Sequence, residues 1–308
     1  MNSLYDSIKI RDTRSLLAFM KKIQNIIKKL YWLGLIGVIG TVFHVTYLKL
    51  FYLFFLLVFV DICISLGYRM KYGKMNEYVA DLKFLWQNIM ILIGNICIYI
   101  RHGFHLPNVQ TYSPKVSCHL PFQGKWMVVN GGTDQQHSHS WGLVMQRYAY
   151  DFYRIENGKS YQGNGSNVCD YYCYDQPVLA VADGIVIEIK NKFEDTKVIG
   201  ESEVLCDASD VRGNYIVIQH ASHVFSMIAH LKKDSFCVKV NDKVTAGQII
   251  ARCGNSGNSS EPHIHFQIQE GKNFYFSASL PVYFDEIINH INRNDMHHIK
   301  EGDIVENR

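Results

Sequence analysis

The stretch "SGNSSEPHIHFQIQ", residues 256–269, sets two histidines one residue apart in a run that otherwise reads as a β-strand. Side chains alternate between faces along a strand, so His263 and His265 project from one side, roughly 7 Å apart. They can serve one site. Ahead of them Gly254 and Gly257 suit a tight turn, and Pro262 favours an extended backbone at Glu261. An isolated HxH is more often a surface pair, so its meaning depends on what else the chain offers.

Working outward, residues 102–308 are short β-branched and aromatic runs cut by Gly, Asn and Asp, an all-β texture. "PVLAVADGIVIEI" (177–189) reads as two alternating runs joined through Asp183 and Gly184 as a hairpin. "GNYIVIQH" (213–220) and "VFSMIAHL" (224–231) form a second adjacent pair, and "VNDKVTAGQIIARCGNSGNSS" (240–260) delivers the chain to the HxH. Such hairpins predict a mainly β domain, an antiparallel sheet folded as a sandwich or partly open barrel. The polar, weakly periodic residues 190–212 read as a long excursion beside the sheet. Residues 285–308 read as helix-like and then as a charged tail, with His290, His297 and His298 solvated.

The first third differs. Residues 30–66, "LYWLGLIGVIGTVFHVTYLKLFYLFFLLVFVDICISL", carry only His44, Lys49 and Asp61 as ionisable groups. A bilayer span needs about 20 apolar residues, so this run predicts one or two transmembrane helices. Residues 84–100 are a third candidate, with a helix packed on the following domain as the alternative. Lys21, Lys22, Lys28 and Lys29 precede the first span and Arg69, Lys71 and Lys74 follow the second, which keeps both flanks cytoplasmic. One or three crossings would then place everything after Arg101 outside the cell. The expected organisation is a basic amphipathic segment over 1–29 lying against membrane lipid, a membrane region over 30–101, a linker over 102–121, a catalytic domain over 122–284 and a tail over 285–308. A net charge of +3 gives no reason to expect nucleic acid as a partner. Of the eight cysteines, Cys118, Cys169, Cys173, Cys206, Cys237 and Cys253 fall in the expected external part, where disulfides could persist, in pairings the sequence leaves open.

A catalytic zinc takes three protein ligands from His, Asp, Glu or Cys and keeps a fourth position open. Partners for the HxH are available in "GGTDQQHSHSWGLVMQRYAYDFYRI" (131–155), which offers His137, His139 and Asp151, and in His230 at the end of an apolar strand. Asp151 lies between Tyr150 and Phe152, where an unpaired carboxylate would be costly to bury. Tyr148, Tyr150 and Tyr153 suit the core better than a groove.

In this order, a His, an Asp, "PVLAVADGIVIEI", "GNYIVIQH", "MIAHL", "VNDKVTAGQIIARCGNSG" and "PHIHFQI" resemble the lysostaphin-like, LytM-type zinc metallopeptidases over roughly residues 122–270. The resemblance implies a duplicated hybrid motif fold, one Zn2+ ion and hydrolysis of peptide bonds in peptidoglycan, at peptide stems or cross-bridges. It makes Asp151 and His265 zinc ligands and His230 and His263 a catalytic pair. The family's first ligand stands four residues before the Asp, where this chain has Arg147. The ligand then comes from further upstream, with His139 favoured over His137. No HExxH is present, so no Glu beside the metal serves as base. Taken together with the expected spans and their flanking charges, the reading is a membrane-anchored endopeptidase with its catalytic domain extracellular. A non-catalytic scaffold for another wall hydrolase, or a peptidase processing an exported peptide, are the alternatives.

Overall fold

The computed structural model describes residues 75–198, 210–292 and 297–308, with scattered positions between 22 and 64. Two compact units emerge, 1–79 and 80–308. In the first, a 3-10 helix covers Thr46–Leu56. The basic leader over 1–21, most of the remaining apolar run, and Cys206 with the middle of the polar excursion lie outside the described residues.

The second unit is built from helix α1 (Met75–Arg101, from residue 80 onward) and twelve strands: β1 (Trp126–Asn130), β2 (Tyr150–Tyr153), β3 (Pro177–Leu179), β4 (Gly184–Lys190), β5 (Tyr215–Ala221), β6 (Val224–Ala229), β7 (Lys243–Val244), β8 (Ile249–Arg252), β9 (Ile264–Gln269), β10 (Ser279–Leu280), β11 (Ile287–Asn289) and β12 (Ile304–Asn307). Ten form one antiparallel sheet in the order β11-β12-β1-β2-β9-β6-β5-β4-β7, with β10 also on β9, and β3 pairs with β8 in a separate two-stranded sheet. The β5–β6 hairpin matches the sequence reading. The expected hairpin within 177–189 does not form, because β3 turns to β8 while β4 pairs with β5 and β7. The segment read as a helix-like, charged tail instead supplies β11 and β12, which extend the sheet beyond β1.

Strand alternation separates two faces. On one, Val128, Tyr150, Phe152, Ile264, Phe266, Ile228 and Ile216 are buried against residues of the small sheet such as Val178, Ile250 and Ala251. On the other, Tyr215, Val217, Met227 and Ala229 pack with Phe274 and with Ile98 of α1. β9 crosses both and is buried throughout. On its second face every alternate residue is polar: His263, His265, Gln267 and Gln269.

Among the described residues no helix is long and apolar enough to cross a membrane. The expected N-terminal transmembrane helices are therefore not supported, nor is membrane lipid as a partner. At about 2.0 Å rise per residue, the eleven residues of the 3-10 helix reach about 22 Å, short of the roughly 30 Å hydrocarbon core. The candidate over 84–100 is the C-terminal part of α1, and one of its faces packs on the domain. Gly94 touches the turn at Tyr275, Asn95 accepts a hydrogen bond from the Val144 amide at 2.9 Å, Ile98 is fully buried, and Arg101 and His102 both pair with Glu270. Residues 94, 95, 98, 101 and 102 follow helical spacing along that face.

Gly94 permits this approach, since a Cβ there would run into the Tyr275 carbonyl. Gly94→Ala is expected to push the helix off its seat at a cost of about 1–3 kcal/mol, read as a lowered midpoint in thermal or denaturant unfolding.

Candidate metal and catalytic site

The β2–β9 register sets Asp151 directly opposite His265, and the β6–β9 register sets Ala229 opposite the same histidine. The residues beyond these pairings complete the group. His230 follows Ala229, and His263 precedes Ile264, the cross-strand partner of Phe152. Together with His139 they line one cleft of about 330 Å³, and Tyr153 and Arg212 border it. The five residues singled out in the sequence thus converge. His137 turns elsewhere, its Nδ1 2.8 Å from Asp134 Oδ1.

Asp151 Oδ1 lies 2.8 Å from His265 Nδ1 and 3.6 Å from His263 Nε2, and its Oδ2 accepts a hydrogen bond from Asn130 Nδ2 at 3.0 Å. Burial raises the Asp151 pKa, but the hydrogen bond and charge of His265, followed by His263 and His139, carry it well below the usual carboxylate range. Burial works against protonation of His265 as well, yet contact with Asp151 leaves its pKa raised. The two shifts share one cause, the buried hydrogen-bonded contact between Asp151 and His265.

The other two rings differ. Burial, then the charges of His263 and His265, lower the His230 pKa far below its ordinary value. Burial also lowers that of His263, with Asp151 opposing. His230 Nδ1 lies 2.8 Å from the Ser256 carbonyl and His263 Nδ1 2.8 Å from the Glu261 carbonyl. Each neutral ring therefore donates from Nδ1 and keeps the Nε2 lone pair. His230 has a left-handed backbone, φ +61°, fixed by its amide bonding to the Arg212 carbonyl and by Gly254 bonding back to its own carbonyl. Gly213 and Gly257 touch back to back with positive φ, so neither position has room for a Cβ. That contact brings the Ser256 carbonyl to His230, and the glycines of "GNSGNSS" are a structural requirement of the site.

Two contributors, Asn130 and Gln267, were not singled out in the sequence. Asn130 bridges the site, its Oδ1 accepting from the His139 amide at 2.9 Å while its Nδ2 holds Asp151. Gln267 is fully buried and donates from Nε2 to the Met145 carbonyl and to Gln269 Oε1, which leaves its Oε1 3.3 Å from His265 Nε2. That contact directs Nδ1 of His265 toward Asp151. Tyr153 stacks on His263 with ring centroids 5.3 Å apart, so of the three tyrosines it is the one bordering the cleft. The period-2 alternation that flagged the HxH continues through Gln267 and could have flagged it.

Two imidazoles and a carboxylate suit zinc by their donor chemistry. Among the described residues no group of three His, Cys, Asp or Glu stands at metal-ligand spacing. The seven described cysteines are free thiols. Cys118, Cys173 and Cys253 are buried, and none of them lines the cleft.

Residues 169–275 match the model of Peptidase family M23. The peptidoglycan DD-endopeptidase ShyA of Vibrio cholerae serotype O1 is 32% identical over 92 residues, covering 30% of this chain and 17% of that protein. The glycyl-glycine endopeptidase ALE-1 of Staphylococcus capitis is 32% identical over 142 residues, covering 45% of this chain and 33% of that protein. Among solved structures, the catalytic domain of lysostaphin from Staphylococcus simulans is 20% identical with a TM-score of 0.30, covering 51% of this chain and 88% of that one. The chain spans a third or less of the length of these curated relatives. His139 and Asp151 lie ahead of the matched segment, while His230, His263 and His265 fall inside it. Over residues 169–275, and over that segment alone, the chain is similar to Peptidase family M23.

Proposed function

We propose that the chain is a zinc metalloendopeptidase that hydrolyses peptide bonds in the stems or cross-bridges of peptidoglycan, outside the cell membrane. One observation carries the reading: Asp151 and His265 in cross-strand register, with His139, His230 and His263 on the same cleft. The substrate class follows the relatives, named as peptidoglycan DD-endopeptidase and glycyl-glycine endopeptidase.

His139, Asp151 and His265 would hold the ion. When bound, zinc polarises the scissile carbonyl and acidifies a water. The chain's own groups do the rest. Asn130 and Gln267 orient Asp151 and His265 from behind. His230 and His263, neutral and with Nε2 lone pairs, are set to accept a proton. His263, beside Asp151, is better placed to carry it as imidazolium and return it to the leaving amine, while His230 Nε2 accepts a hydrogen bond from the attacking water.

Purified cell wall incubated with the protein is expected to release cleaved peptides, to stop doing so after chelation and to resume when zinc is restored. Intact wall in the presence of zinc-loaded protein would refute the substrate. His265→Ala should abolish both zinc retention and hydrolysis. His230→Ala should keep the metal while turnover falls by at least about 100-fold. Metal analysis beside kinetics separates the two roles, and equal metal loss in both variants would contradict them. Gln267→Leu should weaken zinc affinity by about 10- to 100-fold, measured by competition with a chelating dye.

A further inference from the structure

The cleft is not made by the sheet alone. Ile91, from α1, and Leu143, from the turn before β2, both line it beside the histidines. The matched family segment begins at residue 169, so neither residue belongs to it.

The two are held as a unit. Asn95 stands one helical turn after Ile91 and therefore on the same face of α1. Its Oδ1 accepts from the Val144 amide at 2.9 Å and its Nδ2 reaches the Gly142 carbonyl at 3.4 Å. These bonds grip the backbone on both sides of Leu143. The same turn supplies the Met145 carbonyl that accepts from Gln267, so one connection ties the helix to the apolar wall and to the residue behind His265. Ile98, Gly94 and the Arg101 and His102 contacts with Glu270 fix α1 on the domain. The wall is built into the fold.

A peptide in this cleft meets polar imidazoles on one part of its lining and two aliphatic side chains on another. Glycine offers an aliphatic wall no side chain to bury. A methyl group does, and in a cleft of about 330 Å³ that also holds the peptide backbone, a small side chain suits the space best. We propose that Ile91 and Leu143 form a subsite for the methyl side chain of an alanine residue flanking the scissile bond, which makes α1 part of the substrate cleft and Ile91 a specificity-determining residue. This inference rests on the peptidase reading above.

The test uses the full chain loaded with zinc and two peptides: a cross-linked stem dimer with D-alanine beside the scissile bond, and pentaglycine. Wild-type protein is expected to have the higher kcat/KM on the alanine substrate. Ile91→Ala should lower kcat/KM on that substrate about fourfold more than on pentaglycine, the worth of one buried methyl. Ile91→Val should keep the preference within about twofold of wild type by the same measure. Zinc content and melting temperature are recorded for each variant. An equal loss on both peptides would make Ile91 merely structural and overturn the proposal, as would no loss, or a wild-type preference for pentaglycine. Wild-type protein that binds zinc but cuts neither peptide nor purified wall overturns the peptidase reading together with this one. Cleavage of wall with no discrimination at residue 91 overturns this one alone.

Discussion

The structure depends on a buried carboxylate. Asp151 sits in the middle of a sheet, against His265 and next to His263. Removing a charge of this kind from water costs several kcal/mol, and the loss is offset only when the surrounding donors are complete and well placed. Here the completion comes from distant parts of the chain: Asn130 on β1, His265 on β9, and His139 from the loop between β1 and β2. Without the β1–β2–β9 pairing the carboxylate would have no partners.

Around that pair, rigidity comes from polar side chains in continuous chains of contact. Gln269 supports Gln267, Gln267 supports His265, and Asn130 connects the His139 backbone with Asp151. A second network, centred on Asn214 and Ser256, fixes the approach of His230. Asn214 bonds the Leu231 carbonyl and the amides of Lys192 and Phe193, and its own amide donates to Ser256 Oγ. Fully satisfied buried polar networks specify one arrangement. They explain how a histidine with a left-handed backbone is held in place at the cleft.

Much of this was legible early because it is periodic or compositional. The alternation in "HIHFQIQ", the hairpin at 213–231 and the isolated Asp among aromatics are local signals, and each leads to an observed feature. The helix at 84–100 was visible too, as a bilayer span or a helix packed on the following domain, and its packed face meets protein. Hydrophobicity measures what a segment avoids, not what it meets. Likewise the 177–189 run has strand periodicity in both halves, yet periodicity does not name a partner, and β3 finds β8 some seventy residues later.

From the sequence alone came the identity of the polar groups, their faces on the strands and the positions where only glycine fits a tight turn, because these follow from side-chain chemistry and the two-residue repeat of a strand. Only the tertiary structure decided which strand lies beside which, that His139 and not His137 faces the cleft, that the C-terminal segment extends the sheet beyond β1, and that α1 supplies a wall. Those outcomes depend on register and long-range packing, where small differences in burial among many competing pairings select one, and no single segment carries that information.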